Sequence, residues 1–268
     1  LDPTVKWSIS LVDESGKVPI STIAEKDLVS LFSVMRAEGD SLVNEDDGQP
    51  FYDSLMDWQD ADEEERDEGA EDDYYEDLEF PYFTPGKKIE NFEEFRMVKG
   101  FAYDLDDPDE SGLFYTAEGS ETIHLKNFRD SFSFFHTGPV NINTASPYLV
   151  KFLCGDDDSL YDEVIAGPSS SSGDPYFKSM NDPKLAQLRS NRSISTSTTA
   201  SVFRVLVTVT KGKANFQLHA ILASGNAAQP KSQGRGAKVA PKPRSPQNAK
   251  MQYPFRILSI RENENLID

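Results

Sequence analysis

The chain alternates apolar and polar positions at both ends and follows a helical period in between. Val5-Lys6-Trp7-Ser8-Ile9-Ser10-Leu11-Val12 has period two, which predicts a β-strand with one apolar face. Asp13 to Lys17 (DESGK) is turn chemistry, and Val18-Pro19-Ile20 reads as a short extended return whose proline suits a sheet edge. The same alternation returns near the far end. Phe203, Val205, Val207 and Val209 share one face of a strand. Lys211-Gly212-Lys213 turns the chain, and Phe216, Leu218, Ala220 and Leu222 share one face of the next strand. Tyr253 to Arg261 (YPFRILSIR) predicts a third strand.

Between these ends the apolar spacing is that of helices. Ser21 or Thr22 can cap a helix running through Leu28, Leu31, Phe32 and Met35, with Gly39 as its stop. Phe51 to Trp58 carries Leu55 and Trp58 at helical spacing. Asn91 with Glu94 forms a near capping box before Phe92 to Lys99, closed by Gly100. Ser146-Pro147 starts a helix through Leu149, Val150, Phe152 and Leu153, with Gly155 beyond it. GPSSSSG at 167–173 reads as a linker. The segment 225–250 has no apolar period, is rich in Gly, Pro, Gln and Ala, and carries six basic residues. Its composition is that of a disordered loop between two strands. The fold class expected is α+β: an antiparallel sheet unit interrupted by a large, mostly helical insertion. The divisions are 1–20 for the first part of the β unit, 21–190 for the helical insertion, and 191–268 for the remaining strands.

Charge sharpens this picture. The 268 residues carry 27 Lys+Arg against 46 Asp+Glu, a net −19. Nearly all of it sits between Glu45 and Glu79, where 18 acidic residues face the single base Arg66. Such a balance argues against nucleic acid and anionic membrane surfaces, which need clustered Lys and Arg, and favours divalent cations or basic partners. The single cysteine, Cys154, excludes an intrachain disulfide and a cysteine-based zinc cluster. No apolar run reaches the roughly 20 residues of a membrane helix.

The acidic segment holds the candidate chemistry. Asp57 and Asp60, one helical turn apart, present two carboxylates on one side, and Asp62 follows in the loop. A turn at Gly69 can return Glu71, Asp72 and Asp73 to the same point. Calcium takes six to eight oxygen ligands, and a bound cation removes the repulsion such a cluster otherwise carries. The alternative reading is a solvated acidic loop. The flanking Trp58, Tyr74, Tyr75, Phe80, Tyr82 and Phe83 suit a packed loop better. A second candidate is Asp107, Asp109 and Ser111 with Gly112 and Glu118, at the positions of an EF-hand loop. Pro108 sits inside it, and its flanks lack two strong amphipathic helices, so an ordinary turn is the competing reading. There is no G-x-S-x-G, P-loop or H-E-x-x-H motif, and His124, His136 and His219 are scattered.

Taken in order, several segments resemble one family. They are Val12 to Lys17 (VDESGK), Asp57 to Asp62 (DWQDAD), Gly69 to Tyr75 (GAEDDYY), Phe95 to Phe101 (FRMVKGF), Val140 to Ser146 (VNINTAS) and Ser201 to Val205 (SVFRV). They resemble the K-type minor pseudopilins of type II secretion systems (GspK). The resemblance implies a pseudopilin α/β unit with an inserted helical domain, and calcium in the loop matched by 57–73. It implies an N-terminal membrane helix absent from this sequence, an inner-membrane anchor and a soluble part in the periplasm. Assembly at a pseudopilus tip would involve the I and J minor pseudopilins and the major pseudopilin, with the secreted substrate as a further partner. On this reading the protein is a non-catalytic, calcium-stabilised cap. The competing functions are a tip or adhesion module of a related type IV pilus-like filament, and a calcium-dependent hydrolase.

Overall fold

The structure, a computed structural model, describes residues 4–37, 46–103, 111–155, 157–169, 174–188, 192–224 and 254–263. Four strands form an antiparallel sheet in the order β1 (Val5–Asp13), β6 (Val202–Lys211), β7 (Ala214–Ser224), β8 (Phe255–Glu262). The first strand therefore pairs directly with β6, across the whole helical region. Trp7 faces Val209, Ile9 faces Val207 and Leu11 faces Val205. A bulge at Ile221/Leu222 shifts the β7–β8 register, so that Leu222 faces Ile257.

The alternation seen in the sequence gives this sheet one continuous apolar face. It is built from Trp7, Ile9 and Leu11 on β1, the odd positions 203–209 on β6, the even positions 216–222 on β7, and Phe255, Ile257 and Ile260 on β8. Among the described residues nothing covers it at its edges: Trp7, Ile9, Leu11 and Ile257 are each at least 60% exposed. The opposite face meets the rest of the chain at one end only, where Val202, Ile221 and Ala223 are buried against Phe135.

Among the described residues, everything helical lies between β1 and β6. In order come α1 (Glu25–Arg36), α2 (Gln49–Gln59), α3 (Asp72–Glu76), a 3₁₀ turn over Phe92–Met97, α4 (Ile123–Ser131), α5 (Pro147–Cys154) and α6 (Asp158–Ile165). Their shared core is aromatic. Phe32, Phe51, Phe95, Phe101, Phe114 and Phe128 are completely buried, with neighbouring ring centroids 4.9–6.5 Å apart. Phe128 at the end of α4 stacks at 4.2 Å on Phe132, which opens the two-residue strand β3 (Phe132–Ser133). Gly48 lets α1 and α2 approach: a Cβ there would lie 2.0 Å from the Val29 carbonyl oxygen.

Several expectations need correction. The Val18-Pro19-Ile20 stretch does not return along the first strand. Instead β2 (Val18–Pro19) pairs in parallel with β3, since the Asp13 turn sends the chain out of the sheet into the helical region. Neither Ser21 nor Thr22 caps α1, which begins after Ala24 without a side-chain cap; the Thr22 hydroxyl bonds the Pro19 carbonyl instead. The helix expected over 92–99 is a tighter 3₁₀ turn over Phe92–Met97, although Asn91 caps it as its spacing indicates, accepting from the Glu94 N–H. Helices α3, α4 and α6 have no counterpart in the pattern read from the sequence. Gly39, residues 170–173 of the linker, and 225–250 lie outside the described residues.

Candidate metal site

The last turn of α2 places Asp57 and Asp60 on one side, and the chain returns to them at Glu71. Asp57 is completely buried, and its Oδ2 accepts the backbone N–H groups of Ala70 at 2.9 Å and Arg66 at 3.2 Å. Its Oδ1 contacts the Arg66 guanidinium. One carboxylate oxygen from each of Asp57, Asp60 and Glu71 lies within 4.8 Å of the others.

The loop can close this tightly because of Gly69. A Cβ there would stand 1.8 Å from Asp57 Oδ2, so no larger residue fits beside the carboxylate. The Gly69 N–H closes a turn onto the Arg66 carbonyl at 3.0 Å, and Lys99 Nζ donates to the Gly69 carbonyl at 2.8 Å. Behind the site Trp58, Tyr75 and Tyr82 form an aromatic wall, with ring centroids 5.2–6.1 Å apart. The Lys99 N–H donates to the Tyr75 hydroxyl at 3.2 Å. Of the aromatics flanking the acidic run, Trp58 and Tyr75 are buried, whereas Phe80 and Phe83 are exposed, as are residues 61–65 of the loop itself.

The electrostatics of the cluster are unbalanced. Arg66 Nη1 donates to Asp60 Oδ2 at 2.7 Å and also contacts Asp57 Oδ1. Burial opposes the charge on Arg66, but its hydrogen bonds to Asp60 and Asp57 outweigh that and raise its pKa. Glu71 has no such help. Its side chain is buried, and neither Oε1 nor Oε2 has a hydrogen-bond partner; Asp60 Oδ1 is likewise unpaired. Burial first, then the charges of Asp57, Asp60, Glu63 and Asp62, push the Glu71 carboxyl up to about 7. One guanidinium against three carboxylates leaves the group short of positive charge. The buried, unpaired oxygens of Glu71 and Asp60, grouped with a carboxylate oxygen of Asp57, fit a hard divalent cation, which such oxygens ligate well.

The other expected ligands sit elsewhere. Asp62 is exposed and accepts the Glu64 N–H at 3.1 Å. Asp72 starts α3 and ties the Thr84 segment, accepting its N–H at 2.7 Å and its hydroxyl at 2.9 Å. Asp73 is exposed on α3. In the second candidate, Asp107 and Asp109 lie outside the described residues. Ser111 Oγ accepts the Ala117 N–H at 3.2 Å, and Glu118 is exposed in the turn closed by the Gly119 N–H and the Thr116 carbonyl. Sequence reasoning missed Arg66 as the centre of the first cluster. The available signal was its position as the lone base in the acidic run.

A second constellation links the insertion to the sheet. Glu14 is completely buried at the end of β1. It accepts from Arg204 Nε on β6 at 2.7 Å and from the Ser133 hydroxyl on β3 at 2.7 Å, with Lys17 Nζ at 3.5 Å. Ser15 Oγ accepts the N–H groups of Ser201 at 2.7 Å and Val202 at 2.8 Å. The VDESGK, VNINTAS and SVFRV segments, far apart in sequence, thus meet at one junction.

Residues 10–105 match the first domain of the family described as type II secretion system (T2SS), protein K. Among solved structures the chain is similar to one in the GspK-GspI-GspJ complex from the type 2 secretion system of enterotoxigenic Escherichia coli. The TM-score is 0.56 at 14% identity, over 98% of this chain and 81% of that one. No curated protein matches the chain.

Proposed function

We propose, from the match of residues 10–105 to the first domain of type II secretion system protein K, that the chain serves as the minor pseudopilin at the pseudopilus tip. The observation that carries this reading is the apolar face of the four-stranded sheet, exposed at its edges, on a unit whose other face meets the helical region at one end. An apolar face of that extent belongs against another element. A long N-terminal helix of the pseudopilin kind, anchored in the inner membrane, is the occupant that the family suggests. The soluble part then lies in the periplasm, beside the I and J minor pseudopilins.

The role is structural rather than catalytic. The helical region leaves the sheet at Asp13 and rejoins it at Val202. Its bulk on one side of the sheet would obstruct addition of a further subunit, which makes the protein a cap. Asp57, Asp60 and Glu71 would hold a calcium ion, which supplies the positive charge their buried oxygens lack. The chain's own part is to present those oxygens by the α2 turn and the Gly69 bend, and to exclude water with Trp58 and Tyr75.

The test is reconstitution with the I and J minor pseudopilins of the same secretion system. Co-elution of all three as one species on size-exclusion chromatography is expected. A chain that stays alone at concentrations where the other two associate would overturn the tip assignment.

A further inference from the structure

Resting on the reading of Asp57, Asp60 and Glu71 as a calcium site, we propose that Arg66 is a displaceable internal counterion. Its guanidinium holds Asp57 and Asp60 together when no ion is bound, and it surrenders both carboxylates when a divalent cation takes them. The loop 60–71 then has two arrangements, guanidinium-in and cation-in.

The first ground is steric. Arg66 Nη1 contacts one oxygen of each aspartate, Asp57 Oδ1 and, at 2.7 Å, Asp60 Oδ2. An ion ligated by those oxygens at the usual 2.3–2.6 Å would overlap that nitrogen. Through those oxygens the guanidinium and the ion exclude one another.

The second ground is charge. Arg66 neutralises one of three clustered carboxylates, while both oxygens of the buried Glu71 stay unpaired. A divalent ion supplies one charge more and can reach Glu71 as well. The guanidinium is therefore an incomplete substitute, and a divalent ion at sufficient concentration wins.

The third ground is freedom to move. The Arg66 side chain is 38% exposed, and residues 61–65 leading to it are all exposed, so solvent lies beside the guanidinium on its way out. Arg66 also borders an acidic cleft lined by Asp46, Gln49, Asp53, Asp67 and Glu68, where the released guanidinium finds new carboxylates.

A site whose competent form is a minority binds more weakly by that fraction; a tenfold preference for guanidinium-in lowers affinity about tenfold. The experiment titrates the full chain with terbium and calcium, reading terbium luminescence sensitised by the adjacent, buried Trp58, and repeats it on R66Q and E71Q. Melting is followed for each protein in chelator and in saturating calcium. R66Q is expected to bind about tenfold more tightly than the parent and E71Q more weakly. The melting temperature of R66Q should fall in chelator and match the parent in calcium. If R66Q needs calcium to fold, the comparison moves to chelator-induced release, where R66Q must lose its ion more slowly than the parent.

Equal or weaker binding by R66Q, with binding intact in the parent, overturns the counterion role and leaves the calcium site standing. Tighter binding accompanied by a higher melting temperature in calcium and no loss in chelator also overturns it, because that pattern marks simple charge repulsion. No binding by either protein removes the calcium site and the counterion role together.

Discussion

Asn141 Nδ2 donates to Asp13 Oδ2 at 2.8 Å, joining residues 128 positions apart. The Thr144 hydroxyl donates to the same oxygen at 2.7 Å, and Asp13 Oδ1 accepts the Ser15 N–H at 2.9 Å. The last residue of β1 is thereby bound to the turn that follows β4 (Val140–Asn141). Gly16 makes the approach possible, since a Cβ there would lie 2.5 Å from the Thr144 carbonyl oxygen. Asn141→Ala removes one bond to a carboxylate and is expected to cost about 2 kcal/mol. Gly16→Ala drives a methyl group against backbone and is expected to cost more. Urea unfolding of the two variants checks both the loss and the order.

Glu14 gives the junction a pH dependence. Burial alone would raise its pKa, but Lys17, Arg204 and the Ser133 hydroxyl outweigh burial and hold the carboxyl below its ordinary 4.5. A depressed native pKa stabilises the fold above the unfolded value, and that stabilisation fades as pH falls through the native one. Glu14→Gln leaves the partly buried Lys17 and Arg204 without their partner and is expected to cost about 3 kcal/mol at pH 7. The gap between parent and variant should shrink below about pH 4. Denaturation midpoints of both proteins between pH 7 and pH 3 measure this; a gap independent of pH would contradict it.

Gly69→Ala tests the metal site without removing a ligand. The new methyl group would occupy the position of Asp57 Oδ2, so the carboxylate or the loop must shift. The variant is expected to lose most of its calcium-dependent rise in melting temperature while its aromatic core still forms. Thermal melts with and without chelator, together with near-ultraviolet circular dichroism, separate the two effects.

Calcium at a hundred times its dissociation constant should stabilise the parent by about 3 kcal/mol. Asp57→Asn keeps the size of the side chain but removes its charge, and is expected to abolish most of that gain. A parent whose melting temperature is the same in calcium and chelator would remove the cation from the account of this loop.

Phe128→Ala probes the centre of the aromatic core. Phe128 is completely buried and lies against Phe32, Phe92, Phe95, Phe114 and Phe132 at centroid distances of 4.2–6.1 Å. A large-to-small change there is expected to cost about 3–5 kcal/mol, read as a lower denaturation midpoint.

The sequence by itself determined the strands at both ends, because alternation with period two reports directly on a face. It also determined α2, α5 and the Asn91 cap, where helical spacing and capping residues coincide. It located the acidic segment and the turn at Gly69. Tertiary structure alone decided which carboxylates converge. Asp57, Asp60 and Glu71 meet because the α2 turn and the Gly69 bend share one centre, while Asp72 is drawn off to Thr84 by a hydrogen bond that no local pattern announces. It also decided that Val18–Pro19 pairs with Phe132–Ser133, and that Asp13 meets Asn141. Such pairings depend on where the chain returns in space, and residue type and spacing encode local conformation far more directly than they encode that return.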